Sequence, residues 1–147
     1  MSARVDTISF FDALADEMNA HAERFAPLGE AEMAVVLVMG RSGGDFRVRL
    51  DFESLGCTGV VEVDDTEASG ADFRLEGPLD AWQAMFDDVA TNGHATGLYT
   101  INSLALMGDR IRCQGDDPMG LDKFSRFNQT LQEFFDGAAA LPASSGG

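Results

Sequence analysis

The chain has 147 residues, the length of one ordinary domain, and its 25 acidic residues against 10 Lys and Arg give a formal net charge of −15. Such a charge repels phosphate backbones and anionic lipid surfaces, which argues against nucleic-acid binding and electrostatic docking to membranes. The acidity favours a neutral ligand or a partner with a basic patch, or it serves only solubility.

The sequence contains no membrane-spanning or secretory signal that we recognise. No stretch approaches the ~20 consecutive apolar residues of a membrane span, and residues 1–6 lack the basic and then apolar layout of a signal peptide. Cys57 and Cys113 form no CxxC pair and have no suitably spaced His nearby. We therefore expect a cytoplasmic protein with reduced, buried thiols, no metal site and no stable membrane insertion.

The first half of the chain predicts one helix followed by three strands. Apolar residues recur every three or four positions over 7–25, which is typical of an amphipathic helix. Residues 33–39 (MAVVLVM) form an apolar run, and residues 46–52 alternate strictly, so both segments are predicted strands. A third strand is predicted over 57–64, and short loops favour an antiparallel meander. One face of this third strand is predicted to carry Cys57, Gly59, Val61 and Val63.

The middle of the chain begins with a polar segment, residues 65–70 (DTEASG), which is predicted as a loop. Residues 71–76 alternate as a fourth strand. An amphipathic helix follows Pro78, and Asn92-Gly93 ends it. Its apolar face carries Trp82, Met85, Phe86 and Val89.

The last third of the chain predicts a short apolar helix over 98–107, a fifth strand around 111–113 and a final amphipathic helix over 119–135. Residues 138–147 are small and polar, which is typical of a loose, disordered tail. Together these patterns predict a single α+β domain over residues 1–137.

Two segments carry a resemblance to a known family. Residues 71–86 (ADFRLEGPLDAWQAMF) pair an Ala-Asp strand with a helix that bears an aromatic and bulky apolar residues. Residues 103–121 (SLALMGDRIRCQGDDPMGL) combine a short apolar helix, a glycine, an alternating strand and Gly-Asp before the last helix. In this order the segments resemble the sterol carrier protein 2 family. The resemblance implies a five-stranded, mostly antiparallel sheet, covered on one face by helices around an apolar tunnel that holds sterols or fatty acyl chains.

The predicted helix faces are rich in Phe and Met, residues that adapt to irregular cavities and bury flat ligands. Composition alone favours a plain hydrophobic core, and the resemblance is what favours a cavity. Ten side chains are predicted to form the wall of a ligand cavity: Trp82, Phe86, Val89, Leu98, Ile101, Leu104, Met107, Phe124, Phe127 and Leu131.

Five arginines occupy outward positions on predicted strands, interspersed with acidic residues. They form either an anion-docking face or a solvated face of ion pairs, and the abundance of neighbouring acids favours the ion pairs. These arginines are Arg47, Arg49, Arg74, Arg110 and Arg112.

His94 is the best candidate for acid–base chemistry, because it lies in a loop between two helices that would border a pocket. No catalytic motif accompanies it, and no cofactor is implied. We therefore predict a non-enzymatic carrier that presents a sterol, steroid or fatty acid to a partner enzyme. The acidity of the chain suggests that this partner is basic. Two alternatives remain: an isomerase or hydrolase that uses His94, and an acidic interaction module without a ligand.

Overall fold

The computed structural model describes residues 4–68, 70–106 and 110–141, with the side chain of Leu106 outside this set. Within these ranges the strands are β1 Met33–Gly40, β2 Phe46–Glu53, β3 Gly56–Glu62, β4 Phe73–Pro78 and β5 Arg112–Gln114. The α-helices are α1 Ile8–Ala20, α2 Asp65–Ala68, α3 Leu79–Asn92, α4 Ile101–Leu106 and α5 Pro118–Asp136. Short 3-10 helices occupy Ala22–Arg24, Ala26–Leu28, Gly97–Tyr99 and Gly137–Ala140.

The five strands form one sheet in the order β3-β2-β1-β4-β5. β1, β2 and β3 are the predicted antiparallel meander, and β4 pairs with β5 in the same antiparallel sense. β4 runs parallel to β1, so one of the four pairings is parallel. The predicted α+β class with a mostly antiparallel five-stranded sheet is confirmed.

The face prediction for β3 is wrong from Gly59 onward, because an extra residue between Cys57 and Gly59 shifts the pairing register, and Gly59 lies opposite Asp51 on the outer face. Such an irregularity breaks strict alternation on the affected strand. Cys57 is buried as predicted, but Val61 is 53% exposed, and Val60 packs on the core in its place. The single extra residue in β3 thus places Val60 on the buried face and Val61 on the exposed face.

Most of the core lies between one face of the sheet and helices α1, α3 and α5. β1 contributes alternate residues to it, for example Val35 and Leu37, and α5 contributes Phe134 and Phe135. Each of these four side chains is fully or almost fully buried. The helices therefore cover one face, as expected from the apolar periods of the sequence.

The opposite face of the sheet has a second, smaller cluster. Val36 and Val38 of β1 are covered there by Ala68 of α2, so both faces of β1 are buried. The segment predicted as a polar loop instead forms this one-turn helix. Asp64 and Glu67 stabilise it reciprocally: each side chain accepts a hydrogen bond from the other's backbone N–H, at 3.0 and 2.7 Å.

Three of the five predicted strand arginines form ion pairs with acidic residues two positions away in the sequence. Arg49 pairs with Asp51 at 3.1 Å, and Arg74 pairs with Glu76 at 3.2 Å. Arg47 pairs with Asp45 at 3.4 Å. This arrangement favours the ion-paired interpretation of the strand arginines over an anion-docking face.

The ordered domain extends past the predicted end at residue 137. Gly137–Ala140 forms a 3-10 helix, and Ala138 and Leu141 pack against the core. Residues 138–141 therefore do not belong to a loose tail, because two of them find apolar partners on the domain. The rest of the predicted tail, residues 142–147, lies outside the described residues.

Candidate functional site

Helix α3 places the first group of predicted wall residues. Gly93 ends the helix in the left-handed region at φ 86°, and its N–H donates to the carbonyl of Val89. Trp82, Phe86 and Val89 all lie on the buried face, with at most 3% exposure. The indole N–H of Trp82 donates to the carbonyl of Val38 at 3.2 Å, which fixes the ring against β1.

The α3 group is enclosed by a continuous set of aromatic rings. Phe86 contacts Phe10 of α1 and Phe135 of α5, with ring centroids 4.9 and 5.5 Å apart. Phe135 also lies 6.0 Å from Trp82 and 5.8 Å from Phe134. Edge-on ring contacts at these distances are favourable packing. Around α3, the predicted wall residues therefore contact other rings and form part of the core.

The second group of predicted wall residues lies on α4 and α5. Ile101 and Leu131 are fully buried, whereas Leu104 and Phe124 retain 6% and 5% exposure. Phe127 is half-buried and packs on the edge of the core. Of these five side chains, Phe127 is therefore the most accessible to solvent.

Leu98 is 66% exposed on the 3-10 helix Gly97–Tyr99, so it does not belong to an interior wall. Its helical spacing with Ile101 suggested one continuous helix over 98–107, but Thr100 is extended, with ψ 150°, and separates the two short helices. Met107 lies outside the described residues.

Hydrogen bonds hold α4 against α5 and against the segment that leads into β5. The side-chain oxygen of Gln132 accepts from the N–H of Ile101 at 2.6 Å, which satisfies a donor at the start of α4. The N–H of Ile111 donates to the carbonyl of Leu104 at 3.4 Å. Asp88 of α3 accepts from the N–H of Thr96 at 2.6 Å and from its hydroxyl, which anchors the segment before α4.

Asp72, from the Ala-Asp pair of the resembling segment, joins β1 to α5. Its carboxylate accepts from the N–H of Ala34 at 2.8 Å and pairs with Lys123 at 3.3 Å. The backbone of Gly120 approaches so closely that an added Cβ would clash with the carbonyl oxygen of Asp72. A residue without a side chain is therefore required where α5 crosses the start of β4.

A polar pocket of about 330 Å³ opens at the surface near the ends of α3 and α5. Sequence analysis identified His94 but missed its neighbours, which come from segments distant in the chain. The pocket is lined by Arg24, Gly93, His94, Glu133, Asp136, Ala139 and Ala140.

Most of the groups in this pocket hold local structure. The carboxylate of Asp136 accepts from the N–H of Ala95 at 3.1 Å and from the side chain of Gln132 at 2.9 Å. The His94 Nδ1 lies 3.0 Å from the carbonyl of Ala95. Burial raises the pKa of Asp136, and burial together with the nearby charge of Asp136 raises that of Glu133. The pocket thus combines an imidazole with two carboxyl groups that bind protons more readily than usual.

Across residues 4–68, 70–106 and 110–141, no three His, Cys, Asp or Glu side chains are grouped to hold a metal ion. No helix in the described part of the chain has the length and hydrophobicity to cross a membrane. Cys57 and Cys113 are both free thiols.

The five-stranded sheet, its order and the helices on one face define the class of fold: it is that of sterol carrier protein 2. A crystal structure of sterol carrier protein 2 superposes with a TM-score of 0.68 and 18% identity, over 94% of this chain and 99% of that one. A conserved hypothetical protein of Thermus thermophilus, whose description suggests a sterol carrier protein, gives 0.66 and 21% over 99% and 97%.

The apo form of sterol carrier protein 2 from Yarrowia lipolytica gives a TM-score of 0.53 at 18% identity, covering 96% of this chain and 100% of that one. No model of a protein family matches the sequence, and no curated protein matches it significantly. The likeness is therefore one of fold along nearly the whole chain, and it confirms the architecture that the sequence resemblance implied.

Proposed function

We propose that this protein binds an apolar ligand, a sterol, steroid or fatty acyl chain, and carries it to a partner enzyme. The observation that carries the proposal is the fold, which matches structures named sterol carrier protein 2 from end to end. The apolar side chains of α4 and α5 support it, because such side chains bind hydrocarbon by burial and not by directed polar contacts.

The proposed ligand site lies between α4 and α5, over β4 and β5. The rings around α3 already contact one another, whereas Leu104 and Phe124 keep slight exposure and Phe127 is half-buried at the edge of the core. α5 closes over β4 through Phe124 and Phe73, whose ring centroids are 5.6 Å apart. A hydrocarbon that enters between α4 and α5 would meet Ile101 and Leu131 as it passes inward.

A fluorescence titration tests this proposal. Trp82 is the single tryptophan of the chain and is fully buried, so it can transfer energy to a bound fluorescent fatty acid or sterol. We expect saturable transfer in the delipidated protein. Phe127→Ala should weaken binding several-fold, because the ring would lose its contact with the ligand.

Met119→Ala is the matched control, since Met119 lies on the same helix with 77% exposure and should not contact a ligand between α4 and α5. If both variants weakened binding equally, the proposed location of the ligand between α4 and α5 would be refuted. Absence of transfer with every sterol and fatty acid would refute the carrier function itself.

The polar pocket favours a second candidate, an isomerase or hydrolase that uses His94 as a base. The specific observation is that His94 shares the pocket with Glu133 and Asp136, both of raised pKa. It ranks second because Asp136 already accepts two hydrogen bonds that hold the loop. A turnover that His94→Ala abolishes without weakening ligand binding would favour this candidate.

A further inference from the structure

We propose that the 3-10 helix Gly97–Tyr99 is a docking loop that inserts Leu98 and Tyr99 into the surface of a zwitterionic lipid bilayer. This inference rests on the proposed carrier function and adds the place where the protein would meet a membrane to collect or release its ligand.

The loop presents two large apolar side chains side by side. Leu98 is 66% exposed and Tyr99 is 46% exposed, although most large apolar residues of the described chain are buried. Gly97 has φ 56°, a left-handed conformation that turns the chain at this point. Leucine gains free energy on entering hydrocarbon, and tyrosine favours the boundary between hydrocarbon and water.

The loop also lies in the longest uncharged stretch of a strongly charged chain. Residues 89–108 contain no Asp, Glu, Lys or Arg, whereas charged residues make up 24% of the sequence. The adjoining stretch of α5, residues 127–132, is equally free of charge, and its Gln132 accepts the hydrogen bond from Ile101 at the start of α4. The loop can therefore enter the surface of a bilayer without inserting a charged residue of its own.

Charge identifies the kind of surface that fits. The net charge of −15 repels anionic lipids, and an uncharged loop offers nothing to a basic protein patch. A bilayer of zwitterionic lipid has no net charge, so it neither repels the acidic protein nor requires charges on the loop. The loop stands directly before α4, so docking would place the proposed opening between α4 and α5 next to the lipid.

The loop is held firmly enough to be presented in this way. Asp88 accepts from the N–H of Thr96 at 2.6 Å, and the Tyr99 N–H donates to the carbonyl of Thr96 at 3.0 Å. The carboxylate of Asp88 also accepts from the hydroxyl of Thr96, so this nearest acidic group already has partners.

Partitioning onto phosphatidylcholine vesicles, measured by co-flotation, tests the proposal. Leu98→Glu should lower the partition coefficient by about tenfold or more, since it removes an inserting side chain and adds a charge. Met119→Glu makes the same change of charge at another exposed residue and should bind like the wild type. Replacing part of the phosphatidylcholine with phosphatidylglycerol should weaken binding at low salt.

Tyr99→Trp provides a second, spectroscopic readout. Its emission should shift to the blue on addition of vesicles, after subtraction of the wild-type signal from the buried Trp82. No partitioning of the wild type, equal loss in Leu98→Glu and Met119→Glu, or stronger binding to anionic vesicles would overturn the docking loop. Ligand titration in solution without vesicles is measured in parallel, so that failure of docking is distinguished from failure of ligand binding.

Discussion

Phe135→Ala probes the aromatic packing on which the account of the interior depends. The ring is fully buried and lies within 6.0 Å, centroid to centroid, of the rings of Trp82, Phe86 and Phe134. Removal of the ring leaves a cavity that the three neighbouring rings, which are themselves packed, cannot fill. From the usual cost of deleting a buried phenyl ring, we expect the free energy of unfolding to fall by about 3–5 kcal/mol.

Phe127→Ala is the matched comparison on the same helix. Phe127 is half-buried at the edge of the core, so its truncation should cost only about 1–2 kcal/mol. Urea denaturation followed by circular dichroism and by the fluorescence of Trp82 measures both losses. For ligand affinity the order of the two variants should reverse, with the larger loss in Phe127→Ala. If the two variants lost equal stability, the division between packed core around α3 and accessible wall on α5 would be wrong.

Three further predictions concern single sites. Gly120→Ala should destabilise the protein by about 1–3 kcal/mol in thermal unfolding, because its Cβ would clash with the Asp72 carbonyl. The hydrogen bond from Arg4 lowers the pKa of the buried Asp6 in the folded protein. The stability that this carboxylate contributes is therefore present above its unfolded pKa of about 3.9 and is lost as the pH falls through its lower pKa in the folded state. Asp6→Asn should lack this pH dependence when denaturation is followed from pH 7 into acid. Burial raises the pKa of Cys57 and Cys113 to about 11, so both thiols should react with an alkylating reagent far more slowly when folded than in urea.

The elements that the sequence predicts well are those whose pattern and end signals agree. α3 is an example: its apolar spacing places Trp82 and Phe86 inward, and Asn92-Gly93 ends it where predicted. The strict alternation of β2 likewise places Phe46 and Leu50 in the core. Local chemistry determines these features, so they can be recognised without knowledge of the fold.

The features that sequence analysis missed depend on contacts distant in the chain. The extra residue in β3 exchanges the faces of Val60 and Val61; Gly59 inside the strand is compatible with a bulge, but only the pairing with β2 shows where the register shifts. Leu98 has the spacing of a buried helical residue, yet the extended Thr100 separates it from α4. The polar pocket brings His94 together with Asp136 at the end of α5, which only the fold can show.

The one-turn helix α2 is a different case, because a local signal was present. Asp64 and Glu67 have the spacing of a capping box, in which each side chain accepts from the other's backbone. The density of polar residues over 65–70 favoured a loop instead. A capping pair in front of Ala68, which covers Val36 and Val38, was sufficient to predict a helical turn there.

Native mass spectrometry of the purified protein, followed by solvent extraction, tests the carrier function most directly. A protein that shelters hydrocarbon between α4 and α5 should retain a stoichiometric mass that extraction removes and identifies as a sterol, steroid or fatty acid. The account would be contradicted if only the mass of the protein without ligand were observed and the protein then bound no sterol, steroid or fatty acid that was added to it.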